Sequence, residues 1–199
     1  FYMGANIKFL SSKIENFTSQ GFATDIGVYY FSDYRPYSFT AVIRNLGYQI
    51  TPYEEVREEI AYDIAIGASF LMSDVPIKWH LTMNSLQQWN LAVPNPSNSN
   101  TDLDGNTEEE SISFLDNMMR HFVIGVELFP ESKFNLRFGY NFRRAAELKL
   151  AEARTFAGLS AGFGLKMGRF KFDYAFTKYH PVDNSSTFTL YIDLTRKGF

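Results

Sequence analysis

The chain has 199 residues, a formal net charge of −3 and no cysteine. This length suits one domain, this charge offers no basic face for nucleic acid, and the lack of cysteine excludes disulfides, zinc–thiolate sites and thiol nucleophiles. Aromatic residues make up 17% of the chain, so the fold must accommodate an unusual number of rings. No window of about 18 apolar residues occurs, and the sequence therefore predicts no transmembrane helix.

Apolar residues alternate with small or polar residues along most of the chain, which is the period of a β-strand with one apolar face. The pattern is clear at Ile60, Ile64 and Phe70, which are separated by residues such as Asp63 and Gly67. It predicts ten strands, at residues 1–10, 22–31, 37–47, 58–72, 77–89, 122–129, 134–144, 157–167, 170–178 and 188–194. We therefore predict an all-β fold and a single domain over residues 1–199.

The links between these strands alternate in length. Short links rich in Ser, Asp, Pro and Gly fall at 32–36, 73–76, 130–132 and 168. Long links fall at 11–21, 48–57, 90–118, 145–154 and 180–185. Short turns at one rim and long loops at the other are typical of outer-membrane β-barrels.

The alternative is a soluble antiparallel sandwich or a lipocalin-like barrel, whose strands also alternate. Apolar faces of about ten residues, and aromatic residues at strand ends such as Tyr29, Tyr37 and Trp89, favour the membrane. We predict an antiparallel transmembrane β-barrel with both termini in the periplasm. Its polar face mixes Gly and Ala with charges of both signs. The predicted lumen charge network contains Arg44, Asp63, Lys78, Glu127, Arg137, Arg143 and Asp173.

The longest link, 90–118, is acidic and is a candidate docking loop for a partner that presents Lys or Arg. Oxygen donors spaced by two also suggest calcium, but Thr107 and Ser113 occupy the Gly and Glu positions of an EF-hand loop, and a solvated loop is favoured. Residues 113–120 suggest a short helix capped by Ser111 or Ser113. This helix serves either as a docking helix or as packing for the loop, and packing is favoured. The candidate docking residues are Asp102, Asp104, Glu108, Phe114 and Met118.

Catalysis has little support in the sequence. The run GLSAG at 158–162 fits G-x-S-x-G in letters, but Ser160 lies within a predicted strand and not at a strand–turn–helix elbow. His80, His121 and His180 belong to no nucleophile motif. We therefore predict no enzyme activity, no metal and no cofactor.

Several stretches are similar, in their order and spacing, to one family of outer-membrane proteins. They are AVIRNLG at 41–47, PIKWHLTMNSLQQWN at 76–90, FLDNMMRHFVIGVE at 114–127, FGYNFRR at 138–144, ELKL at 147–150, GLSAGFG at 158–164, KFDY at 171–174 and YH at 179–180. Together they resemble the PorV/PorQ branch of the FadL-like outer-membrane barrels, which belongs to the type IX protein secretion system.

The resemblance implies a 14-stranded barrel, so this chain is expected to lack N-terminal strands and any plug segment that precedes them. It also implies a non-enzymatic function in the outer membrane of a Gram-negative bacterium, in contact with outer-membrane lipid. The protein would anchor the surface partner PorZ and, through it, the sortase PorU and PorV. The alternative that the resemblance leaves open is a FadL-like channel for hydrophobic small molecules.

Overall fold

The computed structural model describes residues 1–15, 17–32, 34–52, 57, 59–92, 100–101, 107–108, 112–148, 156–178 and 183–194. The strands are β1 (Tyr2–Ile14), β2 (Phe17–Phe31), β3 (Tyr37–Thr51), β4 (Asp63–Leu71), β5 (Ile77–Met83), β6 (Asn100–Thr101), β7 (Thr107–Glu108), β8 (Phe122–Leu128), β9 (Phe134–Asn141), β10 (Leu159–Met167), β11 (Phe170–Lys178) and β12 (Asn184–Ile192). The helices are α1 (Phe114–Met119) and α2 (Phe142–Glu147). Over the same residues, no helix has the length and apolar character needed to cross a membrane.

Ten strands form one antiparallel sheet in the order β1-β2-β3-β4-β5-β8-β9-β10-β11-β12, while β6 pairs with β7. The predicted all-β class is therefore confirmed, and each predicted strand overlaps one strand of this sheet. Within the described ranges the sheet is not closed, because no pairing joins β1 to β12. The chain divides into two compact units, one of residues 1–68 and 83–88 and one of residues 69–82 and 89–199.

The predicted long link at 11–21 is wrong. β1 and β2 stay paired as far as Ile14 and Phe17, and Glu15 begins the turn with a φ of 52°. The apolar alternation is weak here, since polar residues such as Ser12 and Ser19 occupy both strands. These two residues pair with each other, because the backbone ladder needs no apolar side chain to continue. For the same reason β12 begins earlier than predicted, at Asn184. β3 runs on to Thr51, past its predicted end, and the alternation continues there through Tyr48 and Ile50.

Three predicted strands are shorter than the alternation indicates. The strand predicted at 58–72 begins only at Asp63, so Ile60 precedes it. The other two end early. The strand predicted at 134–144 ends at Asn141, whose side-chain oxygen accepts a hydrogen bond from the Arg144 N–H and caps α2. The strand predicted at 77–89 ends at Met83, and Ser85 then takes a positive φ of 59°. In both places a local polar contact turns the chain although the apolar period continues.

The two faces of the sheet differ sharply in exposure. Large side chains share the apolar face, as where Phe163 of β10 pairs with Leu136 of β9 and with Tyr174 of β11. These side chains point outward, and Phe138 and Leu190 are 47% and 59% exposed. The other face is the polar face, and it is better shielded. Buried apolar residues in the described ranges are mostly small, namely Ala23, Ala65, Leu91 and Ala157, while the buried polar residues are Ser19, Ser38, Gln49, Asn117, Arg120, His121 and Asn135.

We predict that Gly47→Ala destabilises the first unit. Gly47 pairs with Ala23, and a Cβ added at Gly47 would clash with the backbone oxygen of Phe22 and would lie 2.5 Å from Cα of Ala23. Overpacking of this kind costs about 1–3 kcal/mol, measured as a loss in the free energy of urea unfolding followed by circular dichroism.

Gly4→Ala is the matched control, because nothing lies within 4 Å of a Cβ added at Gly4. Its stability should stay within about 0.5 kcal/mol of the parent. Equal stabilities of the two variants would show that the close approach of β2 and β3 does not require glycine.

Candidate functional site

An ion-pair network extends across the polar face of the second unit. We call it the Arg137 network, and its members are His80 on β5, Glu127 on β8, Arg137 on β9, and Lys171 and Asp173 on β11. Arg137 donates from Nε to Oε1 of Glu127 at 3.1 Å and from Nη1 to Oδ1 of Asp173 at 2.8 Å. Lys171 Nζ lies 3.0 Å from Asp173 Oδ2, and His80 Nε2 lies 3.7 Å from Glu127 Oε2. Two carboxylates thus face one guanidinium and one ammonium, so the charges balance.

Glycine on β10 allows Arg137 to reach Asp173, two strands away. Gly162 pairs with Arg137, and Gly164 pairs with Asp173, so β10 places no side chain between them. A Cβ at Gly164 would lie 2.7 Å from Oδ1 of Asp173 and 2.5 Å from Oδ1 of Asn135. Glycine inside a strand often marks such a close approach. The ion pair across β10 therefore depends on residues that carry no charge themselves.

The same small residues leave a recess of about 190 Å³ beside the network. The hydroxyl-bearing residues Ser160, Thr187 and Thr189 line it together with Arg137 and Asp173. Sites for small organic ligands usually measure about 300–1,000 Å³ and are mostly apolar. The recess is therefore suited to water or a small polar molecule and is a poor fit for a fatty acid.

A second polar cluster lies in the first unit, at a β-bulge. Pairing of β2 with β3 shifts between Thr24 and Ile26, so Arg44 and Asn45 both lie opposite Asp25. Asn45 adopts a φ of 56°, and its N–H donates to Asp25 Oδ1 at 2.9 Å. Lys8 Nζ also donates to Asp25 Oδ1, at 2.7 Å.

The bulge also positions Arg44 beside β4. Its Nη1 lies 3.2 Å from Asp63 Oδ2. Asp63 Oδ1 in turn accepts the Ser85 N–H at 2.9 Å. Asp63 therefore forms an ion pair with Arg44 and also accepts a hydrogen bond from the irregular segment that follows β5.

The structure brings together three residues of the predicted charge network, Glu127, Arg137 and Asp173, and it pairs Arg44 with Asp63 separately. The strand position predicted for Arg143 is wrong. Arg143 lies in α2, where its Nε contacts Oε1 of Glu147 at 2.7 Å, because Asn141 starts the helix before it.

Lys78 lies on β5 two residues before His80, and alternation places the two side chains on the same face. His80 and Lys171 complete the Arg137 network although the predicted network omitted them. Strand parity places both on the polar face, since Lys171 shares the parity of Asp173 on β11.

The candidate docking residues are described only in part. Asp102 and Asp104 lie outside the described residues, and of Glu108 only the backbone in β7 is described. The predicted short helix is confirmed as α1, with the Ser113 side chain accepting a hydrogen bond from the Asp116 N–H at 3.1 Å. Phe114 is exposed and Met118 is half-buried.

Asn117 fastens α1 to the segment that follows β5. Its Oδ1 accepts the N–H groups of Leu91 and Ala92 at 3.0 and 3.1 Å, and its Nδ2 donates to the Trp89 carbonyl at 2.6 Å. His121 Nε2 lies 3.0 Å from the same carbonyl, and its ring stacks on the Trp89 ring with centroids 5.0 Å apart. We call Trp89, Asn117 and His121 the Trp89 cluster. Sequence reasoning missed it because Trp89 lies 28 residues before Asn117 and 32 before His121.

The described residues contain no group of three His, Asp or Glu side chains arranged to hold a metal ion. What the structure does bring together are the paired charges of the Arg137 network and the hydrogen bonds that hold α1 at the Trp89 cluster. Comparisons of the chain with protein-family models, with curated proteins and with solved structures found no match.

We predict that Arg137→Met lowers the free energy of urea unfolding by about 1–2 kcal/mol, because Glu127 and Asp173 lose their shared partner. The cost falls below that of a fully buried pair, since the Arg137 side chain is 39% exposed and its interactions are partly screened. Neutralising both acids in the same chain, as Glu127→Gln with Asp173→Asn, should recover part of the loss.

Arg143→Met is the matched control, because it removes an i,i+4 pair on a short helix. It should cost about 0.5 kcal/mol or less. If Arg137→Met cost no more than this control, the network would not stabilise the sheet.

Proposed function

We propose that this chain is an outer-membrane β-barrel protein of a Gram-negative bacterium, and that it anchors a surface protein without catalysing a reaction. The observation that carries the membrane assignment is the exposure of the apolar face. Forty large apolar side chains in the described ranges are exposed. Burial of one such side chain contributes about 1.5–3 kcal/mol, while a whole domain is stable by only about 5–15 kcal/mol. Apolar exposure on this scale favours a non-aqueous environment.

A soluble sheet protein would show the opposite arrangement. Its apolar faces would pack against each other or against helices, and its polar faces would meet water. Here Phe188 and Leu190 of β12 are exposed, whereas the carboxylates of Glu127 and Asp173 are only 15% and 14% exposed. This inversion supports lipid outside the sheet and paired charges behind it.

Strand lengths support the same proposal. β4, β10, β11 and β12 contain nine residues each, close to the 9–11 residues that cross a bilayer at a tilt. β2 and β3 contain 15 residues each and so extend past that length. In a bilayer the open edges of β1 and β12 must also be paired, because hydrocarbon cannot satisfy their backbone groups.

The anchoring part of the proposal rests on the resemblance to PorQ-like proteins of the type IX secretion system. In that system the chain would hold PorZ, and through it PorU and PorV, at the cell surface. The balanced Arg137 network and the small recess favour an anchor over a FadL-like channel, since opposed charges that pair across a polar face tend to seal it. Retained lipid in native mass spectrometry, with solute passage through reconstituted protein, would favour the channel instead.

We predict that Leu190→Lys impairs insertion into lipid vesicles, whereas Thr189→Lys does not. The two residues are neighbours on β12, but Leu190 pairs with Phe172 on the apolar face and Thr189 pairs with Asp173 on the polar face. A lysine on the lipid side of a barrel costs up to about 2–4 kcal/mol, whereas one on the lumen side is tolerated.

Insertion is measured as the folded fraction, from the altered migration of unheated protein in detergent gels. If the apolar face met water instead, Leu190→Lys would be the better tolerated of the two variants, because replacing an exposed leucine by lysine improves solubility. A Leu190→Lys protein that is folded and monodisperse in detergent-free buffer would contradict the membrane assignment.

We predict that neutralising the acidic loop weakens recovery of PorZ. The variant carries five substitutions, Asp102→Asn, Asp104→Asn, Glu108→Gln, Glu109→Gln and Glu110→Gln, and removes the charges that would attract a basic partner. Recovery of PorZ with tagged protein from detergent extracts is measured by immunoblot.

The control is Asp74→Asn with Glu131→Gln, which changes acids in short turns and leaves the loop intact. The control should recover PorZ at the parental level and the loop variant should not. Failure of the unmodified chain to recover PorZ would refute the anchoring function. Equal recovery by the loop variant and the control would show that the acidic loop does not contribute to PorZ binding.

A further inference from the structure

We propose that α1 and Trp89 form a surface that lies in the membrane interface, in contact with lipid acyl chains just below the headgroups. The inference rests on the proposed membrane barrel and assigns a lipid partner to a helix for which the sequence suggested a protein partner. The occupant is lipid, and a docked protein is an outcome that the experiment below distinguishes.

The burial of α1 is inverted in the same way as that of the sheet. Phe114 and Leu115 are 69% and 61% exposed, while Asn117 and Arg120 are each only 6% exposed. A surface helix of a water-soluble domain turns its apolar stripe inward and its polar residues outward. α1 does the reverse, which suits a helix that has protein on its polar side and hydrocarbon on the other.

This orientation is held by specific contacts. Asn117 makes three hydrogen bonds to the backbone of residues 89–92, and His121 makes one more to the Trp89 carbonyl. Ser113 caps the first turn. Phe114 and Leu115 cannot turn inward without breaking these bonds, so the hydrogen bonds keep both side chains exposed.

Trp89 extends the apolar surface of α1. Its ring lies 5.7 Å from the Phe114 ring, stacks on His121, and is 42% exposed. Tryptophan is enriched where a membrane protein meets the headgroup region, because one end of the ring is apolar and the other is polar. The Trp89 cluster also sits where strands end, since α1 leads through Arg120 and His121 directly into β8, the neighbour of β5.

The charges of α1 disfavour a basic protein partner. Asp116 is the acidic residue of the helix, and both Nε and Nη2 of Arg120 donate to its Oδ2, at 3.3 and 3.0 Å. Arg120 thus balances the charge of Asp116, whose side chain is 48% exposed. The other strongly exposed side chains of α1, Phe114 and Leu115, are apolar, and acyl chains match them.

The experiment uses the fact that the chain contains only two tryptophans. Trp79→Phe leaves Trp89 as the sole reporter of α1, and Trp89→Phe leaves Trp79, on the apolar face of β5, as the reporter of the sheet. Each protein is reconstituted into phosphatidylcholine vesicles whose chains carry bromine either near the headgroup or near the chain end, and quenching of fluorescence is measured.

Trp89 should show blue-shifted emission and lose more intensity to bromine near the headgroup than to bromine near the chain end. Quenching of Trp79 without quenching of Trp89 would overturn this inference and leave the membrane barrel intact. Absence of quenching at both tryptophans would overturn this inference and the membrane barrel as well. Red-shifted Trp89 emission that is quenched by aqueous iodide would show that α1 faces water and is open to a protein partner.

A bimane fluorophore on Leu115→Cys provides a second readout in the cysteine-free chain, in case Trp79→Phe folds poorly. Its emission should be blue-shifted in vesicles relative to the same label on Ser132→Cys, which lies in an exposed turn. Equal emission from the two labels would count against the lipid contact.

Discussion

The structure depends on a sheet whose large apolar side chains point away from the protein while its polar face is shielded. Such a sheet gains little stability from a packed apolar core, because the buried apolar residues in the described ranges are mostly alanines. The polar face must then satisfy its own charges and hydrogen-bonding groups. The Arg137 network and the Lys8–Asp25 pair do so through side chains that bridge strands.

Small residues make these bridges geometrically possible. Gly162 and Gly164 clear the path from Arg137 to Asp173, and the bulge at Asn45 places a backbone N–H on Asp25. Glycine and a positive φ usually weaken a strand, yet here they let paired charges form in a shielded setting. The same division of faces extends to α1, where Asn117 and Arg120 are buried and Phe114 is exposed. The strands and α1 thus share one arrangement, with most polar groups toward protein and large apolar groups outward, and the exposed Asp116 of α1 is an exception.

The sequence predicted the ten strands because alternation records which face each side chain takes, and that signal is local. It failed where backbone pairing continues without apolar side chains, as from Ser12 to Ser19, and where Asn141 starts a helix within an alternating run. Parity identified the charged residues of the polar face but not their pairing. The Arg137–Asp173 contact depends on strand register across β10, and the Trp89 cluster joins segments that are distant in sequence. Neither contact can therefore be predicted from a local sequence pattern.

Spin-label scanning in vesicles tests whether the apolar face of the sheet meets lipid. The cysteine-free chain allows one cysteine at a time along β11 from Phe172 to Phe176, each carrying a nitroxide whose collisions with oxygen and with a water-soluble nickel chelate are measured. We predict that labels at positions 172, 174 and 176 collide with oxygen and exclude nickel, and that labels at positions 173 and 175 show less contact with oxygen. Nickel access at the aromatic positions equal to that at Asp173 would contradict it.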